Sequence, residues 1–302
     1  MTWLGPIGVG LVQGLLFFWP VAALTLALRI FRFPDISIEG SFLLGACAFA
    51  TGAAHGLSPF PAVVCAIAHA ACVGALTATA HAVLGINKFL AGILLTSACY
   101  SLALRIAGAS NIGLLSYVTP FDRLRDWSTK SLGTSFDFAS LGFLALVGAS
   151  ASLLFSRTLS SHSGLRLRVG AVGGLPAVNL RVSHAPMLVL ALAGTAALSG
   201  LGGAMMAMRQ GFFDVNMHQG VLIIALASMA LGEHIAGIRQ LPIVAGSLIS
   251  AALGSVLYQV IVALAIRIGA EPVDIKLITT VLVLATLVLG RRNASKFAVQ
   301  EL

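Results

Sequence analysis

Charged residues are scarce in this chain, and their scarcity excludes most soluble folds. Of its 302 residues, 9% are charged and 58% are hydrophobic, whereas about 25% of the residues in an average soluble domain are charged. Too few polar residues remain to cover the surface of a soluble protein with a large core. Apolar runs of about 20 residues, long enough to cross a bilayer as helices, recur along nearly the whole chain. A β-barrel would instead show short segments of alternating polarity, so the composition predicts an all-α, polytopic transmembrane helical bundle.

Signatures of enzymes and of metal or nucleotide sites are also missing. The dipeptide Gly-Lys never occurs, so the chain has no phosphate-binding loop of the G-x-x-x-x-G-K-[ST] type, and no Ser/His/Asp or H-E-x-x-H arrangement indicates an intramembrane enzyme. The four cysteines lie within apolar runs and imply no disulfide framework. Cys65, His69 and Cys72 share one helical face, but three ligands on one helix favour packing over a metal site. We expect no catalytic residue, metal or cofactor in this chain.

The apolar segments predict a single transmembrane domain, 1–302, with nine spans in a range of eight to ten. Residues 108–137 are predicted to form a mixed loop with charges of both signs, and residues 209–217 a short polar link. The predicted spans are about 6–30, 36–54, 62–84, 89–107, 138–155, 186–208, 218–236, 242–268 and 273–289.

The net charge of +8 does not indicate a nucleic-acid partner. The basic residues lie scattered at the ends of the apolar segments, as topology signals do. If the N-terminus is outside, nine spans leave most of the Arg and Lys residues, but fewer of the acids, on the cytoplasmic side. This asymmetry predicts a multi-pass protein with its N-terminus outside and its C-terminus in the cytoplasm.

The polar interval 156–185 is predicted to be a cytoplasmic docking loop. It contains four Arg residues and no acidic residue, a bias that places a short loop on the cytoplasmic side. A glycine-rich turn leads into an amphipathic patch, 175–181, with Pro176 at a plausible first helical position. A simple tether needs no such patch, so we expect the loop to bind a cytoplasmic partner. The candidate coupling residues are Arg166, Arg168, Gly170, Leu175, Pro176, Asn179, Leu180 and Arg181.

Two acidic residues, Asp35 and Glu39, begin the second predicted span and lie four residues apart, on one face of the predicted helix. Acids within a span are costly and usually face protein or water, which favours a gate or a lining residue of a translocation path. An ordinary helix start, where acids complement the N-terminal dipole, explains them equally well. Both interpretations stay open. The candidate path residues are Asp35, Glu39, Asn87 and Met205.

Five short stretches carry a more specific pattern. Residues 33–46 read FPDISIEGSFLLGA, and residues 86–94, 104–108, 211–217 and 226–233 read INKFLAGIL, LRIAG, GFFDVNM and LASMALGE. The first resembles the D-L-T-V-E-G-S-F-x-L-G-A stretch of ATP-binding-cassette (ABC) importer permeases of the branched-chain amino-acid and ribose superfamily. The others resemble I-N-x-L-L-A-G-I-L, L-R-I-M-G, G-Y-A-D-V-N-M and L-A-S-V-I-I-G-E of its tryptophan/tyrosine-type branch. The matches keep the same order from about residue 10 to residue 290.

The resemblance implies a type II ABC importer-like permease in the lipids of a bacterial inner membrane. Its partners would be a second copy of this chain, two ATPase subunits that bind ATP and Mg and perform the hydrolysis, and an extracytoplasmic substrate-binding (lipo)protein. The loop after the fifth span corresponds to the coupling helix of the family, although LRVGAVG at 167–173 departs from the usual L-R-A-x-G-x-N. The substrate class implied is a small solute, with amino acids, including aromatic ones, as the first expectation. Candidate contacts with the binding protein are Tyr117, Arg123, Trp127, Phe212 and Phe213.

A stand-alone carrier driven by an ion or proton gradient is the alternative. Such a carrier needs buried titratable groups deep within several spans, and apart from Asp35 and Glu39 these are scarce. Uptake by the purified chain without any ATPase would decide for the carrier.

Overall fold

The fold is a bundle of helices with one short ribbon. A computed structural model describes residues 4–132, 138–235 and 242–271, together with residues 274, 277, 279–281 and 284. The helices in this part are α1 (Leu4–Arg29), α2 (Ile38–Ala54), α3 (Pro59–Ala82), α4 (Lys88–Ala107), α5 (Pro120–Leu132), α6 (Phe138–Ser160), α7 (His162–Val172), α8 (Leu175–Asn179), α9 (His184–Gln210), α10 (Val221–Ile235) and α11 (Ile243–Ile268). The strands are β1 (Asn111–Gly113) and β2 (Phe212–Asp214).

Six helices are long and apolar enough to cross a membrane. They are α1, α3, α4, α6, α9 and α11, and among the described residues α2 and α10 are shorter apolar helices. The polytopic all-α bundle that the composition predicts is therefore confirmed. Each of the first eight predicted spans coincides with one of these helices, whereas the span predicted at 273–289 falls mostly outside the described residues.

The loop predicted at 108–137 is wrong, because that interval contains β1 and α5. Thr119 caps α5: its N–H and Oγ donate to Oδ2 of Asp122 at 2.9 and 2.6 Å, and the Asp122 N–H donates back to Oγ at 3.2 Å. This reciprocal pattern is a capping box, which starts a helix by satisfying its free N–H groups. β1 pairs antiparallel with β2, which lies in the link predicted at 209–217. We call the side of the bundle with this ribbon the ribbon side, and the opposite side, which carries α7 and α8, the α7–α8 side.

Small residues allow the long helices to approach each other closely. A Cβ atom on Gly14 of α1 would lie 2.5 Å from Cα of Val256 on α11, and one on Gly74 of α3 would collide with the Leu192 carbonyl oxygen of α9. Helices without a strong hydrophobic drive between them associate through such close backbone contact. The pairs α1/α11 and α3/α9 are thereby held in close backbone contact.

Two halves of the bundle share one order of elements. Each has a long helix, a non-helical segment, a short apolar helix and another long helix: α1–α2–α3 in the first half and α9–α10–α11 in the second. The halves run in opposite directions, because β2 precedes α10 on the ribbon side, whereas Nε of Arg29 at the end of α1 lies 2.9 Å from Oε1 of Glu233 near the end of α10. Inverted repeats with short, interrupted helices are the plan by which transporters place a site near the membrane midplane.

Candidate functional site

The entry into α2 is non-helical backbone inserted between helices. Thr96 Oγ1, on the third turn of α4, donates to the Ile36 carbonyl at 3.2 Å, and a Cβ atom on Gly92 would lie 2.9 Å from Cβ of Ile36. Non-helical backbone inside a membrane is tolerated where protein surrounds it. Most residues of α2 are themselves buried, so this segment and α2 occupy the interior of the bundle.

Asp35 lies in this segment and not on α2, so its predicted place on one helical face with Glu39 is wrong. Its Oδ1 accepts from the N–H and the Oγ of Ser37 at 2.9 and 2.6 Å. Such an Asx turn offers the backbone an alternative to the helix, which therefore begins only at Ile38. Within the described part of the chain, Oδ2 is buried without a hydrogen-bond partner.

Glu39 joins the two short helices. It lies in the first turn of α2, and its Oε1 accepts from the N–H of Gly220 at 2.7 Å, immediately before α10 begins at Val221. A carboxylate between two helix N-termini is favoured by the partial positive charge of both. The contact therefore fits the helix-start interpretation. It also joins the two places where a non-helical segment leads into a short helix, one in each half of the bundle.

Gly220 and Asp214 are residues that the sequence reasoning missed. Asp214 Oδ1 accepts from the Asn216 N–H at 2.7 Å, so an Asx turn precedes α10 as one precedes α2. The signal was present as Asp-x-Ser at 35–37 and Asp-x-Asn at 214–216, each ahead of a short apolar segment. Treating these two patterns as one repeated element predicts that the segments leading into α2 and α10 correspond to each other.

The other two candidate path residues have local structural roles. Asn87 is exposed and caps α4, with its Oδ1 accepting from the Phe89 N–H at 3.0 Å. Met205 is buried on α9 and packs in the main apolar cluster. Neither position marks a path by itself.

The interval 156–185 folds into helices instead of an open loop. The helix α6 continues to Ser160, α7 follows at once, and Gly173 and Gly174 then turn the chain with φ of +76° and +77°. This left-handed conformation is one that glycine adopts without steric cost. The next residues form α8, with Pro176 in its first turn as the sequence predicts.

The surface of α8 is apolar and exposed, with basic residues around it. Leu175, Val178 and Leu180 expose 78%, 71% and 51% of their surface, whereas Ala177 faces inward and is buried. Asn179, Arg181 and Arg166 are exposed, and Arg168 is half-buried. Within the described residues, the one ion pair is between Arg29 and Glu233, so no acid pairs with these arginines. Exposed leucines among unpaired arginines form a surface that suits an acidic or polar-rimmed partner with an apolar centre.

Gly170 was predicted as a docking residue, but it is buried under this surface. A Cβ atom there would lie 2.6 Å from Cγ of Met187 on α9 and 2.7 Å from Cγ1 of Val182. The ring nitrogen Nδ1 of His184 lies 2.8 Å from the Gly170 carbonyl oxygen. Glycine is required here because α7 packs directly on the start of α9, so Gly170 could contribute to coupling through this packing and not through an exposed contact, and its coupling role stays a prediction.

On the ribbon side, the predicted contact residues differ in accessibility. Arg123, Trp127 and Phe212 are exposed, the last two by 58% and 40%, and Tyr117 is half-buried with its hydroxyl donating to the Leu57 carbonyl at 2.8 Å. Phe213 is fully buried, so its predicted contact is wrong. Successive side chains of a strand point to opposite faces, which is why Phe212 and Phe213 cannot share one surface.

On the predicted cysteine-histidine face of α3, Cys65 is half-buried, whereas His69 and Cys72 are exposed. His69 Nδ1 lies 2.8 Å from the Cys65 carbonyl oxygen on the preceding turn. Within the described ranges, no group of three or more His, Cys, Asp or Glu side chains is arranged to hold a metal ion.

Comparison with known proteins decides the class to which this bundle belongs. A family model described as "Branched-chain amino acid transport system / permease component" matches residues 8–289. The chain belongs to this permease family. The permease is 30% identical over 267 residues to the "Tyrosine transport system permease protein" of Clostridioides difficile (strain R20291), covering 88% of this chain and 85% of that protein. It is 24% identical over 281 residues to an uncharacterized protein of Rickettsia prowazekii (strain Madrid E), covering 92% and 95% of the two chains. No solved structure matches the permease.

Proposed function

We propose that this permease is the membrane subunit of an ATP-driven importer for amino acids of the aromatic class. The observation that carries the proposal is the similarity over 88% of the chain to a permease named for tyrosine transport. The basic, leucine-bearing surface of α8 supports an external engine, because the sequence has no nucleotide-binding loop of its own. Two copies of the permease would act with two ATPase subunits and an extracytoplasmic binding protein.

Force applied to α8 has a continuous route into the bundle. α8 follows α7, and Gly170 of α7 packs against Met187 of α9. Further along α9, Ser199 Oγ donates at 2.7 Å to the carbonyl of Ile38, the first residue of α2. The next residue, Glu39, holds the start of α10. In the proposed mechanism, closure of the ATPases moves α8 and α9, and the contact between the two short helices changes as the path opens to one side and then the other.

The proposed orientation is supported by charge. The α7–α8 side carries Arg29, Arg32, Lys88 and the arginines of the 156–185 interval, and the positive-inside rule favours this side as the cytoplasmic one. The N-terminus and the ribbon side then face outward, where Trp127 and Phe212 would meet the binding protein. A bacterial inner membrane is the compartment in which such an importer works.

A gradient-driven carrier is the second candidate, because Asp35 is a buried carboxyl group with an unpartnered oxygen among the described residues. One experiment separates the two. Liposomes containing the permease alone, or the permease with its ATPase and binding protein, are loaded with ATP and given radiolabelled L-tyrosine. Uptake that requires ATP, the ATPase and the binding protein is expected; gradient-driven uptake by the permease alone would overturn the importer.

A further inference from the structure

An elongated cavity of about 590 Å³ lies between α1, α10 and α11. It extends from the ribbon-side ends of α1 and α11 down to Phe17 and Ile224, and most of its wall is aliphatic or aromatic. Volumes of roughly 300–1,000 Å³ are typical of pockets that enclose a small molecule. The lining residues that the argument uses are Val9, Gln13, Phe17, Gln259, Val262 and Arg267.

Two side-chain amides face this cavity, and neither is well satisfied. Gln259 exposes 7% of its surface, and within the described residues its amide makes no hydrogen bond. Nε2 of Gln13, on the opposite wall, lies 3.8 Å from Sδ of Met206, which is a weak acceptor. These amides therefore have hydrogen-bonding capacity left for a ligand in the cavity. A polar group inside a span is a functional-site signal.

The other half of the bundle shows that this gap is not imposed by the fold. There, α2 lies directly against α9: a Cβ atom on Gly45 would collide with Gly200, and one on Gly203 with the Phe42 carbonyl oxygen. In the inverted repeat, α10 and α1 are the counterparts of α2 and α9, and among the described residues no glycine contact of this kind joins them. The cavity lies along α1 and α11, with Ile224 of α10 at its inner end. The fold therefore permits closer packing than the α1/α10 pair has.

We infer that this cavity is a binding site for the transported solute, in which Gln259 and Gln13 hydrogen-bond the polar groups of a zwitterionic amino acid with an apolar or aromatic side chain. An amide both donates and accepts, so the pair can serve an ammonium and a carboxylate. Arg267 adds positive charge at the ribbon-side end, and Val9, Phe17 and Val262 supply apolar walls. The inference rests on the proposed function and adds to it the place where the solute is held.

The test is uptake of radiolabelled L-tyrosine by liposomes with the assembled importer carrying Gln259→Leu. The matched control is Gln210→Leu, which removes an exposed amide at the end of α9, outside the cavity. Gln259→Leu is expected to lower the uptake rate at saturating binding protein by about tenfold, the effect of one lost hydrogen bond at the upper end of the usual range. Saturation-transfer NMR with L-tyrosine and the permease in nanodiscs should show a similar loss of affinity. The control stays within about twofold on both measures.

Stability distinguishes a binding amide from a structural one. Because Gln259→Leu replaces an unpartnered buried amide by an apolar side chain, the thermal unfolding temperature of the permease should stay the same or rise. A fall in that temperature together with the lost uptake would assign Gln259 to the fold and overturn the inference.

The remaining outcomes are also decisive. If the wild-type assembly imports L-tyrosine and Gln259→Leu imports it at an unchanged rate, the site is wrong and the proposed function stands. A phospholipid held in the cavity and lost with Gln259→Leu, at unchanged uptake, would also overturn the solute site. If the wild-type assembly imports no L-tyrosine, the proposed function fails and the site fails with it.

Discussion

The carboxyl group of Asp35 is fully buried, and its Oδ1 accepts hydrogen bonds from the N–H and the Oγ of Ser37. These two bonds form the Asx turn that precedes α2. Within the described residues, Oδ2 has no hydrogen-bond partner.

Asp35→Ala should destabilise the bundle. The change leaves the buried N–H and Oγ of Ser37 without their acceptor, a loss that is expected to cost about 1–3 kcal/mol. Unfolding of the purified permease in detergent measures it. Asp126→Ala, which removes an exposed acid on α5, is the control and should change the stability by no more than about 0.5 kcal/mol. An unfolding temperature that is unchanged in Asp35→Ala would show that this turn does not stabilise the bundle.

The sequence indicated the importance of Asp35 and Glu39 but not how they are arranged. Their spacing of four predicts a shared helical face, yet the Asx turn with Ser37 delays the helix to Ile38. The contact of Glu39 with the Gly220 N–H joins residues 181 positions apart. Such a pairing depends on tertiary packing, and no local pattern predicts it.

At the scale of elements, the glycines of α2 determine how near the central helices lie. Gly45 meets the backbone of Gly200 directly, whereas Gly194, also on α9, has nothing within 4 Å of the position of an added Cβ atom. Glycine is therefore required where α9 meets α2 but not at position 194, which lies outside that interface. Helix spans could be predicted from hydrophobic runs because those runs are local, but the depth of this contact could not.

Gly45→Ala should destabilise the bundle and Gly194→Ala should not. The new methyl group at position 45 forces α2 away from α9, which is expected to cost about 1–3 kcal/mol, as overpacking does. At position 194, replacing glycine in a helix is expected to gain up to about 1 kcal/mol. Thermal unfolding of the two variants in the same detergent measures the difference. Equal unfolding temperatures would show that α2 and α9 are not in the close contact described.

The α7–α8 region shows the same division between local and tertiary information. Pro176 and the glycine-rich turn predict a short amphipathic helix, and α8 is found at Leu175–Asn179. The burial of Gly170 against Met187 and Val182 could not be read from the sequence, because those contacts come from the following helix. The capping box of α5 is different, because Thr119 and Asp122 are a local signal that lies in an interval judged by its charges alone.

At the scale of the whole molecule, the permease is an inverted pair of helical units with a docking surface on one side. The Arg29–Glu233 ion pair and the Glu39–Gly220 hydrogen bond hold the two ends of α10 to the first half. Composition and hydrophobic runs predict the bundle, and family motifs predict its class, because both are written along the chain. The correspondence between α1–α2–α3 and α9–α10–α11 emerges only in three dimensions, since the two units share little more than the Asx-turn pattern in sequence.

The central claim is that the bundle takes its driving force through α8, and the most direct measurement is ATP hydrolysis by the assembled importer with and without the substrate-loaded binding protein. Leu175→Glu combined with Arg181→Glu places acids on the exposed face of α8, and Leu115→Glu, at a residue 97% exposed on the ribbon side, is the control. The α8 variant should lose stimulated hydrolysis and uptake by about tenfold or more, with an unchanged unfolding temperature, while the control keeps its coupling to the ATPase. Stimulated hydrolysis that is undiminished in the α8 variant would contradict the claim.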